Sequence, residues 1–167
     1  MKRPVANRDA VLITNGSVIG FYEREFYVLS NFSSFQVMYD DVLYPTSEHA
    51  YQAAHFTKTK PELAQQIIAC RSAHEACKLA KANAQHAPKN WDEIKAEVMY
   101  KICKAKLEQH PYVREKLLQT EDLYLVEDSP VDSYWGWGAD RRGENLLGTI
   151  WMRLRSEQHD WLAVHAL

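Results

Sequence analysis

The hydrophobic period of this chain changes at residue 47. Before this position apolar residues alternate in strand-like runs, and turn signals at Asn15-Gly16 and Asp40-Asp41 predict two β-hairpins. After it, apolar residues recur at helical spacing between prolines and cap residues, and one late strand precedes the last helix. This order of strands, helices, strand and helix predicts an α+β fold that is mostly helical.

The boundaries of the predicted elements follow from these signals. The first hairpin takes strands at 11–13 and 18–22, and the second takes strands at 35–39 and 42–44. Helices are predicted at about 47–56, 61–70, 72–84, 90–110, 111–119 and 145–159, and the late strand at 123–127. Asn90 with Glu93 is a capping-box-like pair at the start of the longest helix. We place one small domain at residues 18–156, after a lead-in at 1–17 and before a tail at 157–167.

Composition narrows the class of protein. The net charge of -2 gives no general case for nucleic-acid or membrane binding, and no apolar run is long enough to span a bilayer. The N-terminal residues lack the apolar core of a signal peptide. Three cysteines without CxxC spacing argue against disulfides, and no histidine pairs with acids at zinc-ligand spacing. We therefore predict a cytoplasmic protein that needs no metal and no cofactor.

The segment from Thr46 to Gln52 brings reactive side chains to a helix start. Thr46 and Ser47 are good N-cap residues, so Glu48 falls in the first turn, where free N–H groups and the helix dipole favour its ionised form. Gln52 follows four residues later on the same face. The segment is typical of either a stabilising first-turn acid or a carboxylate held for chemistry.

Lys95 is the single charged residue on one apolar stripe of the longest predicted helix, formed by Trp91, Val98, Ile102 and Ala105. A lysine in this position either snorkels, with its stem on the core and its ammonium in water, or has its amine held in a cleft. In a cleft, desolvation makes a lysine amine a usable nucleophile or base.

Acids, aromatic residues and glycines are concentrated just after the late strand. Asp132 precedes Tyr134 and Trp135, whose rings can stack on a base or line a sugar pocket. Gly136 and Gly138 allow the backbone to approach a ligand closely. The alternative is a turn-rich loop whose aromatic side chains close the edge of the core.

Two more turns carry polar groups that suit a ligand. Arg141 and Arg142 lie beside a glycine just before the last helix, where guanidinium and backbone N–H groups can hold phosphate. Asn31, in the polar turn at 29–34, presents a donor and an acceptor that suit a base or ribose edge. The alternative for Asn31 is an Asx turn, in which its side chain bonds the nearby backbone.

Seven ordered blocks of residues carry a resemblance to a known family. They are Phe21-Tyr22; Leu29–Phe32; Pro45–His49 with Tyr51–Ala53; Asn90-Trp91 with Lys95 and Met99; Asp132 with Tyr134–Gly136 and Gly138; Asn145–Gly148; and Met152 with Arg155. In content and order these blocks resemble the NADAR family, and within it the YbiA-like N-glycosidases, over about residues 18–156. The resemblance implies the small, single-domain α+β fold of that family.

The resemblance also implies hydrolysis of a bond between a ribose C1 and an amine nitrogen. Glu48 matches the catalytic carboxylate, Lys95 a family lysine and Asp132 an active-site position. A carboxylate near C1 stabilises the charge that develops on the ribose ring or activates water, and a lysine can instead capture C1 as a Schiff base. We expect the substrate to be bound by Asn31, Phe32, His49, Gln52, Trp91, Tyr134, Trp135, Gly136, Gly138, Arg141 and Asn145.

The resemblance leaves three functions open. The first is cleavage of the phosphoribosylamino-pyrimidine intermediates of riboflavin synthesis, a small-molecule substrate that the balanced net charge slightly favours. The second is removal of ADP-ribose from guanine in DNA or RNA, which calls for salt-sensitive binding and a basic rim. Candidates for that rim are Arg71, Lys78, Lys81, Arg141 and Arg142.

The third function is a non-catalytic ADP-ribose-binding module. Many family members have Lys-Phe where this chain has His55-Phe56. If that lysine is the essential one, the departure favours a binding module; if Lys95 is the essential one, no required residue is missing.

Overall fold

The computed structural model describes residues 18–22 and 24–165 of the chain. The predicted α+β class is confirmed, because helices dominate the described residues and each strand has only three residues. Short 3₁₀ helices cover Arg24–Leu29 and Ala84–His86. The strands and α-helices, in chain order, are β1 (Val18–Gly20), β2 (Val37–Tyr39), β3 (Val42–Tyr44), α1 (Ser47–Ala54), α2 (Pro61–Ile68), α3 (Ala73–Ala82), α4 (Trp91–Gln109), α5 (Pro111–Leu118), β4 (Tyr124–Val126) and α6 (Leu146–His165).

The chain groups into two compact units. We call residues 31–111 the central unit, and the described part of residues 1–30 together with 112–165 the terminal unit. The central unit contains β2, β3 and α1 to α4, whereas β1, β4 and α6 belong to the terminal unit.

Strands β2 and β3 form the predicted second hairpin, in the central unit. They pair in antiparallel fashion, with Val37 opposite Tyr44. Asp40 and Asp41 occupy the two turn positions with φ angles of 48° and 61°. A two-residue hairpin turn of the type I′ class needs positive φ at both positions, and aspartate is among the residues that tolerate it.

Helix α1 lies at the centre of the central unit. Its residues from Ser47 to Ala53 are all buried, and it packs against α2, α3 and α4. Ala50 and Ala53 have no exposed surface, and their small side chains allow the neighbouring helices to approach closely. The first turn of α1 is therefore surrounded by protein, and its polar side chains need partners from the fold.

In the terminal unit, β1 and β4 pair in parallel, with Ile19 opposite Leu125. Residues 18–20 therefore form a strand as predicted, but the strand stops short of Phe21. The turn and the first strand of the predicted first hairpin lie outside the described residues. The pairing with β4 was not among the predictions, because it joins segments that are distant along the chain.

The core of the terminal unit is built from aromatic and branched side chains. Val18, Val126 and Trp137 form one cluster of buried residues. Trp151, on α6, is fully buried, and its indole N–H donates to the carbonyl of Leu29 at 2.8 Å. A buried tryptophan with its N–H satisfied fixes α6 to the segment before the central unit.

Three further predictions about element ends are wrong. Asn90 precedes α4 but makes no side-chain capping bond, because its φ of -94° and ψ of 18° lie outside the extended region of a capping residue. The N–H of Trp91 donates instead to the carbonyl of Pro88 at 3.0 Å. Cys70 lies after the end of α2, and α6 continues to His165 rather than ending near residue 159.

Candidate active site

Glu48 is positioned by the start of α1, as the sequence predicts. Thr46 is the N-cap, with φ of -148° and ψ of 165°, and its hydroxyl accepts a hydrogen bond from the N–H of His49 at 3.2 Å. Glu48 therefore lies in the first turn, where the helix dipole favours a negative charge. The segment folds in this way because threonine satisfies an N–H group that has no partner within the helix.

The Glu48 carboxylate is nearly buried and receives hydrogen bonds from two helices. The residue is 6% exposed, and its Oε1 accepts from the Gln52 amide at 2.7 Å. Across from it, the Cys77 thiol on α3 is hydrogen-bonded to Glu48; burial first, and then the Glu48 charge, raise the pKa of that thiol. Donors that hold a carboxylate at a fixed place favour its ionised form and restrict its rotation.

Asn31 meets the same helix turn through its backbone. Its carbonyl accepts a hydrogen bond from the N–H of Glu48 at 3.0 Å. Its side-chain amide donates to the sulfur of Met99 on α4 at 3.2 Å, which is not the bonding of an Asx turn. Its Oδ1 is buried and has no hydrogen-bond partner among the described residues. A buried oxygen without a hydrogen-bond partner can accept a hydrogen bond from a bound ligand.

His49 is buried, and both nitrogens of its ring are hydrogen-bonded. Nδ1 lies 2.8 Å from the Thr46 hydroxyl and Nε2 lies 3.1 Å from the carbonyl of Cys70. Burial lowers the pKa of His49, so the ring stays neutral at neutral pH. These contacts give His49 a structural role that joins the start of α1 to the end of α2, and a role in binding substrate stays a prediction.

An open groove of about 710 Å³ lies in the central unit on the Thr46 and His49 side of α1. Phe32 and Phe35 line it from the segment before β2, and Arg71 lines it from the segment before α3. The Phe32 ring also meets the His74 ring edge-on, with 5.0 Å between centroids. Glu48, which is nearly buried, is not among the residues that line this groove.

His55 packs among aromatic rings one turn beyond Gln52. Its ring centroid lies 3.9 Å from that of Trp91 and 5.0 Å from that of Tyr51. Burial lowers the pKa of His55 to about 4, against backbone hydrogen bonds that raise it, and the nearby charge of Lys95 lowers it further. His55 is therefore a neutral ring at neutral pH, and the Trp91 ring is already in contact with it.

Lys95 is largely covered, with its amine at the edge of the protein. Its Nζ lies 2.7 Å from a carboxylate oxygen of Asp92, in an ion pair whose side chains are 20% and 88% exposed. A nucleophilic amine must be neutral, so a covalent role for Lys95 requires that this ion pair be broken. The contact fits the snorkelling alternative, in which the stem packs on the protein and the ammonium meets solvent.

In the terminal unit, Asp132 organises the loop after β4. Its Oδ1 accepts from the N–H groups of Tyr134 at 2.9 Å and Trp135 at 2.7 Å. The N–H of Asp132 donates in turn to the Ser129 hydroxyl at 3.1 Å. The two rings that follow meet edge-on, with centroids 4.8 Å apart, and both are half-buried. Asp132 thus fixes the aromatic pair that was predicted to contact a sugar or base.

The glycines of this loop make close backbone contacts within the protein. A Cβ at Gly136 would lie 2.5 Å from the carbonyl oxygen of Glu127, and Gly138 has a φ of +67°. The Asn145 side chain is also hydrogen-bonded to the backbone: its Oδ1 accepts from the N–H of Glu127 at 3.0 Å and its amide donates to the carbonyl of Leu125 at 2.8 Å. These contacts explain both glycines and Asn145 structurally, and their contact with a substrate stays a prediction.

The backbone N–H groups predicted to hold phosphate at the start of α6 are already hydrogen-bonded within the protein. The N–H groups of Leu146 and Leu147 donate to the carbonyls of Tyr134 and Trp135 at 3.1 and 3.0 Å, so the loop itself caps the helix. Arg141 has a positive φ of 59° at the turn, and its N–H donates to the carbonyl of Gly138 at 3.2 Å. A phosphate contact of Arg141 would have to come from its guanidinium alone.

The structure groups the predicted site residues into two sets. The central unit contains Asn31, Phe32, Glu48, His49, Gln52, Trp91 and Lys95, with Glu48, Gln52 and Asn31 in direct contact. The terminal unit contains Asp132, Tyr134, Trp135, Gly136, Gly138, Arg141 and Asn145. Of the predicted basic rim, Arg71, Lys78, Lys81 and Arg142 are exposed, and Arg71 lies 3.5 Å from Glu75.

Sequence reasoning missed several groups beside these sets. The Cys77 thiol at Glu48 was treated only as a small apolar residue. Glu127 and Asp128, directly after β4, are 9% and 5% exposed. Helical periodicity offered a signal for Cys77, which is half-buried and lies four residues after the buried Ala73 and three before the buried Ala80. No local pattern marks an acid at a strand end as buried.

Two features are absent from the described part of the chain. No helix there is both long and apolar enough to cross a membrane. Among the same residues, no group of three or more His, Cys, Asp or Glu side chains is arranged to hold a metal ion.

Comparison with known proteins identifies the family. The family model described as the NADAR domain matches residues 20–159, which is most of the chain. The chain belongs to the NADAR domain family. The match spans both the Glu48 helix and the Asp132 loop, so both sets of predicted residues fall within the NADAR domain.

Relatives of this NADAR domain bear enzyme names. The N-glycosidase YbiA of Escherichia coli (strain K12) is 33% identical over 156 residues, covering 92% of this chain and 96% of its own length. The N-glycosidase Npun_R5314 of Nostoc punctiforme is 36% identical over 136 residues, covering 81% and 87%. The chloroplastic riboflavin biosynthesis protein PYRR of Zea mays is 33% identical over 156 residues, or 84% of this chain and 25% of that protein.

A solved structure confirms the fold. The NMR structure of E. coli YbiA matches with a TM-score of 0.80 and 34% sequence identity, covering 89% of each chain. Together with the curated names, this match supports a hydrolase of the N-glycosidase type.

Proposed function

We propose that this NADAR domain hydrolyses the bond between C1 of a ribose 5-phosphate unit and an amine nitrogen, as in phosphoribosylamino-pyrimidines. The observation that carries the proposal is the nearly buried Glu48 carboxylate, held at a helix N-terminus by the Gln52 amide. A first-turn acid that only stabilises a helix does so from the surface, whereas Glu48 is desolvated and bonded. Desolvation strengthens its electrostatic effect on a neighbouring cation.

The chemistry follows from the charge that the reaction develops. As the C1–N bond breaks, positive charge builds on the ribose ring, and a fixed carboxylate stabilises it. Water adds to C1 and gives up a proton, and the departing nitrogen takes a proton to leave as a neutral amine. Glu48 is the group we assign to C1, either as the stabilising anion or as the base that receives the water proton.

Asn31 is the neighbouring group that we assign to substrate binding. Its buried Oδ1 is an acceptor without a partner among the described residues, and its carbonyl is bonded to the Glu48 N–H. A ribose hydroxyl or the exocyclic amine of the base supplies the missing donor. A catalytic role for Asp132 rests on the family resemblance alone.

The choice of substrate rests on the relatives and on charge. The maize relative that contains a matching region is named a riboflavin biosynthesis protein, which favours the phosphoribosylamino-pyrimidines. Removal of ADP-ribose from guanine in nucleic acid is the second candidate, favoured by the exposed Lys78 and Lys81 on α3. A polymer substrate requires salt-sensitive binding, whereas a small one does not.

A paired turnover assay tests the proposal. Purified protein is given the phosphoribosylamino-pyrimidine intermediate or a guanine-ADP-ribosylated oligonucleotide, and release of the base and the ribose product is followed. We expect turnover of the first substrate. Turnover of the oligonucleotide alone would show that the substrate is ADP-ribosylated nucleic acid and not a small phosphoribosylamine. Binding of ADP-ribose without turnover of either substrate would identify a binding module.

Lys95 is tested in the same assay. In a covalent mechanism the Lys95 amine leaves its ion pair with Asp92 and forms an imine with C1 of the ribose, which borohydride traps. Lys95→Ala should then abolish both turnover and the trapped imine. A variant with near-full turnover would exclude the covalent version and leave Glu48 as the reacting group. Lys101→Ala, at an exposed position of the same helix, is the matched control.

A further inference from the structure

Lys106, on α4, is a fully buried lysine that the proposed chemistry does not use. It has no exposed surface and is among the largest side chains that lie wholly inside the protein. Burial lowers the pKa of its amine to about 7. An apolar side chain of similar size would fill the same space without the cost of desolvating an amine. Packing of α4 alone therefore does not explain a lysine here.

The Lys106 amine contacts the segment that precedes β2. Its Nζ donates to the hydroxyl of Ser33 at 2.7 Å, and Ser33 is 1% exposed. The same nitrogen lies over the ring of Phe35, 5.2 Å from its centroid. Two residues of one short segment are thus held by one amine from α4.

The same segment also contacts Glu48. The carbonyl of Asn31 accepts the N–H of Glu48 at 3.0 Å, and the Asn31 amide donates to Met99 at 3.2 Å. Met99 precedes Lys106 by two helical turns, so both side chains lie on one face of α4. That face therefore holds the segment at both of its ends.

We propose that Lys106 is a positioning residue for the Glu48 site. By fixing Ser33 and Phe35 it sets the path of residues 31–35. That path brings the Asn31 carbonyl to the first turn of α1 and presents the Asn31 Oδ1 to the substrate. The functional part of this inference rests on the proposed function of Glu48; the positioning part concerns the fold alone.

Turnover measures the functional part. We expect Lys106→Met to lower kcat/KM by about tenfold or more, because small displacements of positioning groups have large effects on rate. At pH 7 the melting temperature should stay close to the wild-type value, because the variant loses the hydrogen bond to Ser33 but also the cost of burying an amine. Ser33→Ala should lower kcat/KM in the same direction, and the double variant should lose less than the product of the two single losses. Lys104→Met, an exposed lysine of the same helix, should leave turnover unchanged.

Hydrogen exchange of single amides measures the positioning part without any substrate. In Lys106→Met the Glu48 amide, whose acceptor is the Asn31 carbonyl, should exchange at least tenfold faster, while amides in the middle of α4 keep their protection. Unchanged exchange at Glu48 in both Lys106→Met and Ser33→Ala would overturn the proposal. If the wild-type protein turns over neither substrate, the proposed function fails, and the exchange of the Glu48 amide still decides whether Lys106 positions the segment.

Discussion

Two lysines on α4 differ in what surrounds their amines. Lys95 meets the exposed carboxylate of Asp92, and this ion pair suits an ammonium at the protein edge. Lys106 is wholly buried and donates to the hydroxyl of Ser33. Burial disfavours its charged form, so the fold lowers the pKa of Lys106 to about 7. The two residues should therefore respond differently to pH.

Lys106 should make the stability of the fold depend on alkaline pH. Its pKa is about 7 in the folded protein and 10.5 in the unfolded chain, so between these values the unfolded state binds more protons. This residue's contribution therefore increases stability as pH rises from 7 toward 10.5, by roughly 1 kcal/mol per pH unit. Lys106→Met removes that contribution.

Urea unfolding at pH 7, 8 and 9 checks this prediction. The free energy of unfolding of Lys106→Met, taken relative to that of the wild type, should fall as pH rises. Comparison with the wild type cancels the titration of groups that do not interact with Lys106. Cys103 does interact with it, because the thiolate charge raises the pKa of Lys106 against the effect of burial, so the same comparison is made in a Cys103→Ala background. Parallel pH profiles would show that the amine of Lys106 is already charged in the folded state.

The two lysines also show where residue-level prediction ends. The sequence placed Lys95 on the apolar stripe and Lys106 outside it, whereas the buried residues of α4 include Met99, Ile102 and Lys106. The helix itself was predicted, but which face meets the core is decided by distant partners. For Lys106 the partner is Ser33, 73 residues earlier in the chain.

At the scale of elements, two helix starts are built in different ways. Helix α1 is capped by the side chain of Thr46, and local sequence was enough to predict it. Helix α6 is capped by the carbonyls of Tyr134 and Trp135, from a loop that Asp132 holds in place. Caps made by backbone carbonyls have no sequence signature, which explains why free N–H groups were expected there.

Gly148 determines how closely α6 approaches β4. A Cβ at this position would collide with the carbonyl oxygen of Leu125 and with the side-chain amide of Asn145. Alanine normally stabilises a helix relative to glycine by about 1 kcal/mol. We expect Gly148→Ala to reverse that sign and to destabilise the protein by about 3 kcal/mol, since both neighbours are held by hydrogen bonds.

Thermal unfolding checks this prediction against Ser156→Ala, at an exposed position of the same helix. The melting temperature should fall by several degrees for Gly148→Ala and stay close to the wild-type value for Ser156→Ala. A Gly148→Ala protein as stable as the wild type would show that α6 can shift away from β4 without cost.

At the scale of the whole molecule, the α+β class and the second hairpin follow from local patterns that the structure confirms. The parallel pairing of β1 with β4 does not, because Ile19 and Leu125 lie far apart in the chain. The division into a lead-in, a domain and a tail and the cytoplasmic location stay predictions. The NADAR domain match over residues 20–159 and the YbiA fold support a hydrolase of the N-glycosidase type, and the role of Glu48 stays a proposal.

The central claim is that Glu48 acts on the glycosidic bond and does not merely stabilise α1. Turnover of the phosphoribosylamino-pyrimidine by Glu48→Gln tests it most directly, with Glu62→Gln as the control. Glu62 is also an acid in the first turn of its helix, but it is exposed. We predict that Glu48→Gln lowers kcat about a hundredfold or more, and that Glu62→Gln retains wild-type turnover. Wild-type turnover by a folded Glu48→Gln protein would contradict the account.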